Sequence, residues 1–154
     1  MTEPLPQLCR VLDDPPEGFE TLRREAAAEG YDFLDRLADE IAQGRYSGGA
    51  ELPMMLAAFR GGGLVALGGL TADPYDSAPD LARIRHVYVR QAVRRSGIGR
   101  ILATALIQQG FAIAGRLSLR AADAGAASFW EAQGFVREID SAARTHLLMR
   151  SDEP

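Results

Sequence analysis

The chain has 154 residues, 47% of them apolar and 25% charged, which suits one domain around one core and excludes a disordered or collagen-like class. A single cysteine, Cys9, excludes an intramolecular disulfide and a cysteine-built metal centre. No run of about 18 apolar residues is present to cross a membrane, and a net charge of −4 argues against nucleic acid, whose partners are usually basic as a whole.

The N-terminal Met1-Thr2-Glu3-Pro4 lacks the basic start and apolar core of a signal peptide, so cytoplasmic residence is the expectation. Gln7–Leu12 reads as a first strand, with Cys9 in an apolar run (Leu8, Val11, Leu12) and expected to be a small buried core residue. Asp13-Asp14-Pro15-Pro16 turns the chain and opens a helix over Glu17–Glu29 that Gly30 ends. Tyr31–Gln43 is a second helix, with Phe33, Leu34, Leu37, Ala38 and Ile41 on one face. Its acids Asp32, Asp35, Asp39 and Glu40 read as a solvated face rather than as a cation-binding one. Gly44–Pro53 is a loop.

Met54–Arg60 and Leu64–Leu70 are strands joined by Gly61-Gly62-Gly63, a hairpin signature. Thr71–Pro79 reads as a loop, with Tyr75 in it either reaching a substrate or covering the sheet end. Leu81–Val89 is a strand rich in β-branched and aromatic residues. The helix that follows carries one apolar stripe, Ile98, Ile101, Leu102, Ala105 and Leu106, and ends at Gly110. Leu117–Arg120 is a short strand. Asp123 caps a helix that runs to Gln133 and closes at Gly134. Phe135–Glu138 and Thr145–Arg150 are the last strands. The order β-α-α-β-β-β-α-β-α-β-β predicts a single mixed, mostly antiparallel sheet with helices on both faces, an α/β domain over residues 1–154.

The charge is unevenly placed. All 17 basic residues are arginine, and eight of them lie between Leu81 and Ala122, where there is no Asp or Glu. Such a stretch in an acidic chain points to a polyanionic ligand bound locally. At its centre is a strand, then Arg94-Arg95-Ser96-Gly97-Ile98-Gly99-Arg100, then a helix. A helix start presents unpaired N–H groups and a partial positive charge. Gly97 and Gly99 let the backbone approach an anion, and Arg94, Arg95 and Arg100 add side-chain charge. The pattern predicts a pyrophosphate cradle. It is not a P-loop, which needs a lysine, nor a dinucleotide fingerprint, because Leu102 stands where a third small residue is required.

Arg94-x-x-Gly97-x-Gly99 after Ile84-x-x-Val87-Tyr88-Val89 resembles the acetyl-CoA signature of the GCN5-related N-acetyltransferases (GNAT). A second signature of that family follows in order: Asp123-x-x-Ala126-x-x-Phe129-Trp130-Glu131-x-x-Gly134-Phe135. The resemblance runs from about Met54 to Arg150. It implies a GNAT-like acyl-CoA N-acyltransferase fold, with residues 81–135 as the acyl-CoA site and helices 17–43 shaping the acceptor side. Backbone N–H groups of Arg94 to Arg100 would hold the pyrophosphate of acetyl-CoA. Val87, Tyr88 and Val89, on a strand edge opened by a bulge, would meet the acyl carbonyl and pantetheine. The helix from Asp123, with Phe129 and Trp130, would lie along the pantetheine arm. Acetyl would pass to a small-molecule or peptide amine by direct attack in a ternary complex, with no metal. The rival is a domain that binds acyl-CoA without turnover.

Three positions depart from the family pattern. Asp123 stands where Asn is frequent. Arg83 stands where some members have a catalytic Glu. Trp130 stands where a Tyr protonates the departing thiolate. A thiol of pKa ~8.5 leaves with little assistance, so losing that Tyr costs roughly ten- to a hundredfold. Without a carboxylate base, an α-amine of pKa ~7.7–8.0 is an easier nucleophile than a lysine-like amine of ~10.4. His86 and His146 are the titratable candidates for a base, with Tyr88 between them and a packing role. Homodimers are the commonest oligomers of soluble proteins, and the sequence leaves the oligomeric state open.

Overall fold

The computed structural model describes residues 4–151; the Met1-Thr2-Glu3 reading lies outside the described residues. Elements follow the expected order: β1 (Gln7–Val11), α1 (Phe19–Ala28), α2 (Phe33–Ala42), β2 (Met54–Arg60), β3 (Gly63–Ala72), β4 (Leu81–Val89), α3 (Ile98–Phe111), β5 (Arg116–Leu119), α4 (Ala124–Ala132), β6 (Val136–Arg137) and β7 (His146–Met149). They form one seven-stranded sheet in the order β1-β2-β3-β4-β5-β7-β6. Only β4 and β5 run parallel. The fold is the mixed, mostly antiparallel α/β sheet that the sequence predicts.

Each face of the sheet has its own core. On one, Phe19, Leu22 and Ala26 of α1 and Leu34, Leu37 and Ile41 of α2 pack on Met55, Leu67 and Tyr88. On the other, Ile98, Leu102 and Leu106 of α3 and Trp130 of α4 pack on Val65, Ile84 and Leu117. The period of 3.6 in the helices and of 2 in the strands places both sets of side chains.

Local differences from the expected boundaries have physical causes. The β2–β3 hairpin turns on two residues, Gly61 and Gly62, with φ of 60° and 82°, and Gly63 already pairs with Arg60. Two positive φ values match a turn whose twist suits the flanking strands. Thr71 and Ala72, expected in a loop, pair with Arg83 and Ala82 and extend β3. Cys9, expected in the core, is exposed. It shares a sheet face with Val11, but β1 is an edge strand and only Val11 joins the cluster under α1 and α2.

Candidate functional site

The site begins where two strands part. β5 pairs with β4 only through Leu81–Arg116, Ala82–Leu117 and Arg83–Ser118. From Ile84 onward the β5-facing edge of β4 has no ladder partner. Arg90 donates its N–H to the carbonyl of Val65 on β3, 2.9 Å away. Backbone groups alternate along a strand, so Val89 and Val87 turn theirs toward the open side. The Val89 carbonyl on that side accepts from Arg94 Nε at 2.9 Å.

A bulge sits within this edge. Leu67 pairs with Tyr88 and Gly69 with Arg85, so two residues of β4, His86 and Val87, face one of β3, Gly68. His86 takes φ 61°, a left-handed conformation that histidine adopts more readily than most side chains. The extra residue puts Arg85 and His86 on the same face, and both reach Glu40 of α2. It also returns Val87 to the α3 side. A Cβ on Gly68 would lie 2.9 Å from Val87 Cγ2 and 3.0 Å from Leu106 Cδ1. Only glycine leaves room for the bulged valine.

The turn into α3 has the form of an anion cradle. Arg95 and Gly97 have φ of 66° and 91°, and alternating left-handed residues turn successive N–H groups into one concavity. Nothing lies within 4 Å of a Cβ built on Gly97, so the space before the helix start is open. The two glycines differ in role. At Gly99 a Cβ would stand 3.3 Å from the Phe129 ring and 3.6 Å from Val89 Cγ2, so Gly99 permits α3, α4 and β4 to meet closely. Ile98 is fully buried and anchors α3 in the core, contributing only its backbone to the cradle. The Ser96 hydroxyl turns back to the carbonyl of Val93.

Arg94 behaves differently from the reading that gave its charge to the cradle. Its guanidinium forms a two-pronged pair with Glu29 at the end of α1, at 2.7 and 2.8 Å. Arg94 holds the Glu29 carboxyl below the usual carboxylate range. The cationic side chains left to the cradle are Arg95 and Arg100, both exposed.

Cradle and strand edge share a groove of about 890 Å³, walled by Val87, Val89, Gly97, Asp123, Phe129 and Trp130. Tyr88, Arg94, Arg95, Gly99 and Arg100 also border it. Ser96 and Ile98 of the proposed cofactor residues do not. Asp123 caps α4, accepting from the Ala126 N–H at 2.9 Å. Its second oxygen accepts from the Tyr31 hydroxyl in the α1–α2 connection. These bonds keep its carboxyl below the usual range, Tyr31 first and the Ala126 N–H second. Trp130 is buried and meets Phe129 and Phe135 edge-on.

The three proposed proton-transfer residues are not brought together. His86 is buried, with Nε2 3.2 Å from Glu40 Oε1. Burial pushes its pKa down to about 4, with Glu40 opposing and Arg85 adding to the shift. The imidazole is therefore neutral at neutral pH and a weak base. Burial opposes ionisation of Glu40 as well. The Tyr46 hydroxyl at 2.6 Å, the Arg85 guanidinium and the hydrogen bond to His86 outweigh it and hold the Glu40 carboxyl below its usual range. Tyr88 is buried, and its hydroxyl donates to Glu25 at 3.1 Å and to Glu29. Desolvation first, then these carboxylates, raises its pKa well above that of a free phenol. His146 is fully buried, 2.7 Å from Glu131 Oε2 and 2.7 Å from the Thr145 hydroxyl. It borders a different cavity, with Ala127 and Arg137. His146 as a base of this groove is thus corrected, since α4 separates it from the β4 edge.

A second cavity of about 270 Å³ adjoins the groove and shares Phe33, Val87, Ala122, Ala126 and Trp130 with it. Arg36, Arg83, Arg85, Arg120, Tyr75 and His86 complete much of its wall. Arg83 is buried and pairs with Asp73 at 3.3 Å. Asp73 also accepts from the Ser118 hydroxyl at 2.7 Å and the Tyr75 N–H at 2.9 Å. The Arg83 guanidinium stacks 5.0 Å from the Tyr75 ring centre.

The acids of α2 are mostly surface pairs: Asp35 with Arg23 and Asp32 with Arg36. Glu40 is the exception, a buried carboxylate rather than a solvated one. Its position was legible, since it follows Phe33 by seven residues and Leu37 by three, on the apolar stripe. Tyr31, Glu25 and Glu29 carried no comparable signal. Their partners Asp123, Tyr88 and Arg94 are remote in sequence.

Among the described residues, no cluster of three or more His, Cys, Asp or Glu could hold a metal, and no helix is long and apolar enough to cross a membrane. The acetyltransferase (GNAT) family model matches residues 13–135. A candidate acetyltransferase from Exiguobacterium sp. 255-15 is 25% identical over 94% of this chain and 93% of its own, with a TM-score of 0.80. A candidate GNAT acetyltransferase from Desulfovibrio desulfuricans is 16% identical, covering 94% and 98%, with a TM-score of 0.71. The PaiA N-acetyltransferase of Thermoplasma acidophilum, in complex with coenzyme A, is 16% identical, covering 95% and 99%, with a TM-score of 0.63. No curated protein matches the chain significantly by sequence. With both of its signatures on the walls of one groove and a family model spanning most of its length, the chain belongs to the GNAT family of acetyltransferases.

Proposed function

We propose that the protein transfers an acetyl group from acetyl-CoA to a primary amine in a ternary complex, and that residues 81–135 form the acyl-CoA site of its single domain. The observation that carries this reading is the β4 edge: open beyond Arg83, bulged at His86–Val87, and leading directly into the cradle at Arg95 and Gly97. The residues fit the cofactor. An extended pantetheine amide can pair with the backbone groups of Val87 and Val89 that face the open edge, sharing the Val89 carbonyl with Arg94, as an added strand would. The pyrophosphate suits the α3 start, where backbone N–H groups and the exposed Arg95 and Arg100 favour an anion.

Acetyl-CoA supplies an acyl group as a thioester, whose C–S bond breaks as the C–N bond forms. The chain's part is positional and electrostatic. A β4 edge N–H donates to the acyl oxygen as negative charge develops there. The thiolate carries away the electron pair of the C–S bond, and the amine proton passes to it or to water. His86, neutral and held toward Glu40, borders the acceptor cavity and serves as a polar wall rather than a strong base.

Calorimetric binding of acetyl-CoA to the protein and to Gly97→Glu tests the reading. Micromolar binding lost in the variant, with thiol release on an amine panel, supports it; no binding by the intact protein refutes it. A second reading, acyl-CoA binding without turnover, is favoured by Trp130, whose buried ring replaces the family's tyrosine. Binding with no thiol release on any amine would select it.

A further inference from the structure

The cavity beside the bulge is lined by four arginines, Arg36, Arg83, Arg85 and Arg120, and among the described residues no Asp or Glu lines it. The guanidinium groups are not equally compensated. Arg83 is neutralised by the buried Asp73 at 3.3 Å. Arg85 shares Glu40, at 3.5 Å, with Tyr46 and His86. Arg36 meets Asp32 at 3.3 Å, but both are more than half exposed, where an ion pair is weak. Arg120 is exposed and, among the described residues, donates to the backbone carbonyl of Ala142 with no carboxylate partner. The mouth of the cavity thus carries Arg36 and Arg120 as under-used cations, with two more behind them. His86, also on this wall, is neutral at neutral pH.

We propose that the acceptor is a small amine carrying its own anionic group, an amino acid in the simplest case, with that group held by Arg120 and Arg36. The proposal rests on the acetyl-transfer reading for its chemistry but not for its binding site. A purely cationic amine would be repelled by this wall, whereas a carboxylate matches the planar fork of a guanidinium. The same field favours the reaction. Nearby positive charge disfavours the ammonium form of the acceptor, so the nucleophile is deprotonated more readily without a carboxylate base. A volume of about 270 Å³ is small for a ligand pocket and fits an amino acid better than a folded partner.

L-Glutamate, L-glutamine and L-glutaminamide form a nearly isosteric series with two, one and no carboxylates. Saturation-transfer NMR on the protein alone reads their binding, and thiol release with acetyl-CoA reads their acetylation. The expected order is glutamate, glutamine, glutaminamide, with at least a tenfold span in kcat/KM. Arg120→Gln and Arg36→Gln should each reduce the preference for glutamate over glutaminamide about tenfold. Arg24→Gln, which removes an exposed charge on α1, should leave the whole series unchanged. A stronger response to O-phospho-L-serine than to L-glutamate would keep the anion site and assign it to phosphate. Equal or better binding and transfer with glutaminamide, or a preference indifferent to both arginines, overturns the proposal. If acetyl-CoA fails to bind while the NMR series keeps its order, the acetyl-transfer reading falls and the anion site stands.

Discussion

Glu29 grips Arg94 by two parallel bonds, Oε1 to Nη1 at 2.7 Å and Oε2 to Nη2 at 2.8 Å. The pair ties the end of α1 to the residue that opens the cradle, across 65 positions of sequence. The same guanidinium lies 5.4 Å from the ring centre of Tyr88. The first arginine of the signature thus fixes the turn, and its neighbours are left to meet the ligand.

Arg94→Ala should therefore lower stability by about 1 kcal/mol, near the upper end for a partly solvated ion pair. Arg95→Ala should leave stability within ~0.5 kcal/mol, as for an ordinary surface position. The order reverses for the cofactor at low salt, where Arg95→Ala weakens acetyl-CoA by about fivefold and the effect fades as salt screens it. Urea midpoints and calorimetry at two ionic strengths separate the two roles.

Gly68→Ala should cost roughly 1–3 kcal/mol by overpacking, because its Cβ would enter the space of Val87 and Leu106. Val87→Ala removes the nearer obstacle. The double variant should then be more stable than the sum of the single losses, a coupling expected of residues in contact. Denaturant titration of the four proteins measures it.

The pH dependence follows from His86. Its unfolded pKa is ~6.5, and in the folded chain burial pushes it down to about 4. As pH falls from 6.5 toward 4, the unfolded chain takes up a proton that the folded chain refuses, so stability falls. Glu40, also held below its usual range, adds a loss in the same direction at the acid end. His86→Asn should flatten the slope between pH 6.5 and 4.5, measured as melting temperature against pH. An unchanged slope would contradict a neutral buried imidazole.

Asp123→Ala should cost ~1 kcal/mol through the lost cap of α4, read by thermal melting. Asp123→Asn keeps an acceptor for the Ala126 N–H and should lose less than half of that. Tyr31→Phe tests the other bond of Asp123 and should leave the α4 cap intact, visible as retained hydrogen-exchange protection at Ala126.

The elements and the residues that wall the groove were legible because they depend on local patterns. Periodicity gave the helices and strands; Gly97, Gly99 and the arginines between 94 and 100 marked the cradle; Asp123 declared itself as a cap. Hydrogen-bond partners far apart in sequence were not legible. Arg94 turned to Glu29, Asp123 to Tyr31 and Tyr88 to Glu25, each choice made by which helix or loop the sheet brought alongside. His146 appeared equivalent to His86 by residue type, but packing put it behind α4 with Glu131.

The sequence by itself determined the fold class, the order of elements along the chain and the place of the glycine- and arginine-rich turn into α3, since hydrophobic period, glycine and charge act within a few residues. Only the tertiary structure decided the faces of β4. One extra residue in that strand sends Arg85 and His86 together toward Glu40 and returns Val87 to the groove, on the edge that β5 has left beyond Arg83. A bulge is a disagreement between two strands, and its position depends on the room that Gly68 leaves across the ladder, which no single stretch of chain encodes.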